Sequence, residues 1–151
     1  MSRKPGVKAV VIHEGKILLV LRDNIPTISY PNTWNTPGGG IDEGESPKEA
    51  IVRELQEEIN LLPKEVIDTG TTTYTDGSVV HRFFVPVSDQ EFSSIYLVSE
   101  GQKIGWFTLD ELFQLEVSPH SMVYYKAHEQ QIPDLLDGKR DFVSVNSELK
   151  I

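Results

Sequence analysis

Between Gly39 and Leu61 the chain carries a glycine-rich turn, a helix start and three carboxylates, Glu54, Glu57 and Glu58, at positions i, i+3 and i+4. On a 3.6-residue helix that spacing puts all three on one face. Like charges that close repel. At about 5–6 Å, Coulomb's law gives roughly 0.7 kcal/mol per pair in water and about 3 at an effective dielectric of about 20. A solvated acidic face tolerates this, and a cation site requires it. The chain has no Cys, so the ligands on offer are oxygens, which select a hard ion, Mg²⁺ or Mn²⁺.

The helix is bounded by strong local signals. Ser46 is a good N-cap, Pro47 fits the first helical position, and Glu49 three residues after Ser46 completes a capping box. The helix is predicted to run to Glu58 or Ile59. Val52, Leu55 and Ile59 form its apolar stripe, with Ile51 alongside. The stripe points well over 90° away from the glutamates, so one face packs and the other is free for a metal.

The whole segment resembles the Nudix box, G-x5-E-x7-R-E-U-x-E-E-x-G-U with U a bulky aliphatic. Gly39, Glu45, Arg53, Glu54, Leu55, Glu57, Glu58 and Leu61 fall on its fixed positions. Asn60 stands where the family has Gly. That slot ends the helix in a left-handed conformation, and Asn is the next most tolerant residue. The resemblance implies an α/β fold, an α/β/α sandwich with a mixed β-sheet and a metal-binding helix. It covers about Val7 to Leu112.

The resemblance also implies a reaction: hydrolysis of a nucleoside diphosphate linked to another group, by water attack on phosphorus. Phosphoryl chemistry is catalysed mainly by positioning and charge neutralisation. On this pattern Mg²⁺, or alternatively Mn²⁺, is held by Glu54, Glu57, Glu58 and the carbonyl of Gly38. Arg53 orients the carboxylates, as does Glu45, although spacing alone fits a plain surface ion pair equally well. A further carboxylate from a distant loop is expected. Glu100, ahead of Trp106-Phe107, is the candidate for an extra ligand or for the general base, with Glu57 as the other candidate base. Arg22 closes a strand and either reaches a phosphate or caps a hairpin. Tyr30 and Trp34 either stack on a base or sugar or, for Trp34, anchor packing under the glycine turn. The four histidines share no ligand spacing.

Elsewhere, Val7–Ile12 and Ile17–Leu21 read as a hairpin around the turn His13-Glu14-Gly15-Lys16. Asn24–Asn35, with Pro26 and Pro31, reads as a long functional loop. Strands are expected over Val66–Tyr74, Val79–Val87, Phe92–Val98 and Ile104–Phe107. Helices are expected over Leu109–Leu115 and Ser118–Gln131, the latter packing through Met122, Tyr125 and Ala127. Irregular structure is expected at Pro133-Asp134 and Asp137-Gly138. With no internal repeat or linker, residues 1–151 read as one domain.

The net charge of −9 shows no basic surface of the kind nucleic-acid binders use. The expected partner is therefore a small nucleotide, with no nucleic acid and no membrane, and homodimerisation is open. With no apolar run of membrane-spanning length, the default location is cytoplasmic. An acidic chain that binds polyphosphate needs metal ions to neutralise both. Among family members the compact domain is most similar to those that clean nucleoside triphosphates, including oxidised dGTP. Nucleotide-sugar and ADP-ribose hydrolases are the alternative. A nucleotide-sensing domain without hydrolysis is the reading from another class.

Overall fold

The first hairpin forms as its sequence dictates. Strand β1 (Gly6–His13) returns as β2 (Lys16–Leu21), with His13 opposite Lys16. The two-residue loop between them places both Glu14 (φ 50°) and Gly15 (φ 74°) in the left-handed region, as the type I′ turn of a right-twisted hairpin demands. The computed structural model describes residues 4–139 and 146–151; the charged start at Met1–Arg3 falls outside them.

Beyond this turn-proximal pairing the hairpin splits. Strand β3 (Trp34–Asn35) pairs with β2, and β4 (Gly38–Gly40) pairs with β1. The amide of Ala9 donates to the Pro37 carbonyl between them at 3.0 Å. The segment from Trp34 to Gly40 is thus wedged into the sheet. The loop expected to run to Asn35 ends earlier, because its last residues find partners in the opened hairpin.

Helix α1 (Pro47–Ile59) follows, with Ser46 and Glu49 bonded reciprocally as a capping box. Its end is fixed by Asn60 at φ 57°, and the Leu61 amide reaches back to the Leu55 carbonyl at 3.2 Å, a Schellman pattern. Ile51, Leu55 and Ile59 are fully buried together with Ala50, each large side chain contributing roughly 1.5–3 kcal/mol. Val52, expected in the stripe, is only half-buried. Because the left-handed conformation costs most L-residues about 1–2 kcal/mol, Asn60→Ala is expected to lower stability by that amount. Asn60→Gly should stay close to the parent. Urea midpoints at unchanged slope will measure both.

Strands β5 (Ile67–Tyr74) and β6 (Val79–Pro86) form the second hairpin, and β6 runs parallel to β1. Next comes α2 (Asp89–Ser94), where Phe92–Val98 was expected to be a strand. Ser88 and Glu91 make a second capping box there, which fixes a helical turn and overrides the apolar alternation. Strand β7 (Lys103–Phe107) pairs with β2. Helix α3 is short, Leu109–Leu112, and α4 spans Pro119–Ala127. Tyr124 and Tyr125 of α4 are buried, while Ala127, expected to pack, is exposed. A further helix, α5 (Ile132–Leu136), takes in Pro133-Asp134, expected to be irregular, while Asp137-Gly138 follows it as a turn. Pro133 sits in its first turn, where the missing N–H costs nothing. Strand β8 (Ser147–Leu149) pairs with β5.

The result is a mixed sheet in the order β3-β2-β1-β6-β5-β8, with β4 on β1 and β7 on β2. Alternation along the strands sorts two cores. Val7, Ala9, Val11, Leu18 and Val20 pack on one side with α1. Val10, Ile12, Ile17 and Leu19 pack on the other with residues of α3, α4 and α5. Helices therefore cover both faces, as in an α/β/α sandwich. No helix among the described residues is long and apolar enough to cross a membrane.

Candidate active site

The wedged strand and α1 build the site together. Gly39 lies directly under Glu54: a Cβ there would fall 2.4 Å from the Glu54 carboxylate. The absent side chain lets that carboxylate rest on the strand backbone. Gly38, at φ 147°, leaves no room for a side chain either, since its Cβ would lie 2.0 Å from the Val7 carbonyl oxygen.

Arg53 is the hub of the acidic face. Its Nε and Nη2 donate to both oxygens of Glu45 at 2.7 and 3.0 Å. Nη1 donates to Glu54 at 2.9 Å and to Glu57 at 3.2 Å, and Nη2 also donates to the Gly40 carbonyl at 2.9 Å. The expected orienting role is the one these contacts support. The planar fork that spans three carboxylates and a carbonyl is one that Lys cannot reproduce. Hydrogen bonds from Arg53 and from the Asp42 amide hold the Glu45 carboxyl well below the usual range, at about 2.

Glu58 has a different environment. Burial pushes its carboxyl up to about 7, against the pull of Lys8 and of the Gly38 amide, which donates to Oε2 at 3.5 Å. Burial likewise brings the Lys8 ammonium down to about 8, with Glu58 opposing.

Glu100 arrives from a distant loop, as expected. That loop is tied to the end of α1 by Tyr96 N–H to the Ile59 carbonyl (3.2 Å) and Val98 N–H to the Glu58 carbonyl (3.0 Å). On its far side the Gly101 amide donates to Asp23 at 3.2 Å. Glu54, Glu57, Glu58, Ser99 and Glu100 line one cavity of about 270 Å³. An adjoining cleft of about 300 Å³ is lined by Gly38, Glu58 and Glu100 together with Lys8, Arg22, Asp23 and Asn35. Four carboxylates around one cavity, with neither Cys nor His in its lining, suit a hard divalent cation with oxygen ligands.

The expected substrate contacts divide. Arg22 lines the 300 Å³ cleft and a third one of about 240 Å³. Its Nε is anchored to the Ser29 carbonyl at 2.9 Å. Tyr30 lines the third cleft, with its ring 6.2 Å from that of His120. Trp34 lies apart from these clefts. It packs edge-to-face on Phe107 at 4.9 Å and borders the second core, which supports the packing role weighed for it.

Sequence reasoning missed Lys8, Asn35, Arg82 and His120, all of which line the third cleft. Asn35 and Thr36 are fixed there by a hydroxyl network reaching α4, in which Ser118 and Ser121 donate to Asn35 at 3.0 and 2.9 Å. Thr36 also bonds the Tyr125 hydroxyl at 3.0 Å. His13, assigned no role, sits with Glu14 and Asp89 at the opposite turn, 2.8 Å from Asp89 and stacked on Phe92.

A family model described as the NUDIX domain matches residues 2–128. The chain belongs to the NUDIX domain family. An RNA pyrophosphohydrolase of Acinetobacter baylyi is 42% identical over 79 residues, 52% of this chain and 43% of the relative. Another, from Aeromonas hydrophila, is 29% identical over 126 residues, 83% of this chain and 63% of that protein. The chain spans between 41% and 63% of the length of the curated RNA pyrophosphohydrolases it matches. Among solved structures, the NUDIX domain of Shewanella oneidensis NrtR complexed with ADP ribose superimposes with a TM-score of 0.68. It is 25% identical, and the match covers 86% of this chain and 89% of that one. The box read from Gly39 to Leu61 thus lies in a Nudix fold, on the strand and helix described above.

Proposed function

We propose that this single Nudix domain is a pyrophosphohydrolase that cleaves a phosphoanhydride of a 5′-polyphosphorylated nucleoside. The convergence of Glu54, Glu57, Glu58 and Glu100 on one cavity is the observation that carries the reading. Mg²⁺, or Mn²⁺, would be held by these carboxylates and the Gly38 carbonyl. Such an ion, when bound, neutralises phosphate charge and makes bound water acidic enough to attack at neutral pH. The chain's own groups supply the rest. Arg53 holds Glu45, Glu54 and Glu57 in fixed orientations. Glu57 or Glu100 accepts the proton of the attacking water as the new P–O bond forms and the bridging P–O bond breaks. Lys8, coupled to Glu58, faces the cleft beside the carboxylates and attracts the remaining phosphates.

The first substrate reading is a free nucleoside triphosphate of the nucleotide-cleaning type. A second is a triphosphate at the 5′ end of RNA, which the names of the relatives favour. A panel of dNTPs, oxidised dGTP, a 5′-triphosphorylated oligoribonucleotide, ADP-ribose and nucleotide sugars, each with and without Mg²⁺, decides between them. Metal-dependent pyrophosphate release from one triphosphate is the expected result. Nucleotide binding without turnover of any compound would replace hydrolysis by sensing.

A further inference from the structure

The third cleft departs from the acidic character of the chain. Among the described residues, Lys8, Arg22 and Arg82 line it together with His120, four serines, Tyr30, Asn35 and Val80, and no carboxylate does. Asp76 stands behind His120, 2.7 Å from its Nε2, and Glu58 acts on Lys8 from the side of the acidic cavity. Lys8 and Arg82 are direct neighbours in the parallel pairing of β1 with β6. Like charges opposite each other across strands destabilise a sheet. Arg82 is also only 2% exposed. Its Nη2 donates to the Tyr74 hydroxyl and its guanidinium lies 4.0 Å above the Tyr124 ring, but among the described residues its buried Nε and Nη1 meet no acceptor. A buried cation whose hydrogen-bond partner is a phenol, set beside a second cation, is an unbalanced charge that the fold carries at a cost. A bound anion would supply the missing balance, and the serine hydroxyls would complete its hydrogen bonding.

We infer that this cleft binds a second phosphate, carried on the sugar of the substrate and distinct from the phosphates cleaved at the glutamates. The inference rests on the nucleotide reading above. The intervening 300 Å³ cleft shares Glu58 with the acidic cavity and Lys8, Arg22 and Asn35 with the basic one. It therefore gives a nucleoside room between the two. The shared chemistry is a phosphate on the far side of the nucleoside, either a terminal monoester or the diester leading to a next nucleotide.

The test is calorimetric binding to the full chain, in Mg²⁺, of nucleoside 5′-monophosphates, the matching 3′,5′-bisphosphates, and 5′-phosphorylated dinucleotides. None of these contains a phosphoanhydride, so binding is read without turnover. For at least one base, a compound with the second phosphate is expected to bind about tenfold tighter than its 5′-monophosphate. Preference for the bisphosphate marks a monoester, and preference for the dinucleotide marks a diester. Arg22→Gln and Arg82→Met should each cut the advantage to below about threefold. Thermal melting checks that the variants are folded. Should Arg82→Met fail to fold, the Arg22→Gln result stands as the deciding arm. Equal binding with and without the second phosphate would mean that a base or solvent fills the cleft, and would overturn the inference. So would an advantage that survives in Arg22→Gln, or no measurable binding of any doubly phosphorylated compound at millimolar concentration. A tenfold advantage in a chain that hydrolyses nothing would leave the phosphate site standing and remove the hydrolase reading instead.

Discussion

Glu57→Gln is expected to lower turnover by roughly 10²–10⁴-fold while leaving the fold intact. The Glu57 side chain is 61% exposed and its one hydrogen bond within the hub comes from Arg53 Nη1 at 3.2 Å. An amide oxygen accepts that bond nearly as well, so little stability rides on the charge. The chemistry has no such substitute: a carboxamide neither takes a proton from water nor contributes negative charge to a cation site. Glu58→Gln provides the contrast. Burial already disfavours the Glu58 charge, so removing it should leave stability unchanged or raise it while activity falls. Such opposite movement is expected where a site is held in an unfavourable state for function. Initial rates on the best substrate of the panel, paired with thermal melts, measure both. Near-normal turnover by Glu57→Gln would remove the acidic cavity as the reaction centre.

Gly38→Ala is expected to cost about 3 kcal/mol of stability or more, combining backbone strain with overpacking. Its Cβ would meet the Val7 carbonyl oxygen at 2.0 Å and the Lys8 Cα at 2.9 Å, and neither can move without parting β4 from β1. Gly39→Ala, one residue on, should behave differently. Its Cβ would meet the carboxylate end of Glu54, a side chain that can swing aside, so the fold should survive while turnover drops. Urea unfolding and rate measurements on the two variants separate these outcomes. A Gly38→Ala protein as stable as the parent would mean that the β1–β4 pairing is not as described.

What was legible in the sequence was local. The capping box, the Pro at the helix start and the Asn60 stop lie within a few residues of what they control, so α1 and its three glutamates could be placed from sequence alone. Turn chemistry placed the first hairpin in the same way. What was hidden depends on pairing across the chain. The stretch Trp34–Gly40 has too few residues and too much Gly and Pro to read as strand, and it becomes one only because β1 and β2 open to receive it. Lys8 and Arg82 sit in β-branched or aromatic runs whose register decides whether they meet, and nothing near them in sequence reports that they do. Phe92–Val98 was misread for another reason. Its apolar spacing fits a strand, and the deciding signal, Ser88 with Glu91, lies upstream. Glu100 was reachable through the family resemblance, since spacing alone does not tie it to a helix more than forty residues earlier.

The wedge also sets what can vary. Its entry is pinned where the Arg22 amide meets the Thr33 carbonyl at 2.9 Å, and Trp34 then bonds the Glu116 carbonyl through its own amide. From that point to Gly40 the chain is in register with its neighbours. The eight residues from Asn24 to Pro31 are looped out ahead of this anchor, between Asp23 and Asn32, which hold the Glu100 loop through the Gly101 amide and the Gln102 side chain. Changes of length or sequence there are absorbed before the backbone reaches the glycines under Glu54. One side of the cleft beside the acidic cavity can therefore be rewritten, by mutation or by an engineer, while the geometry of that cavity is inherited unchanged.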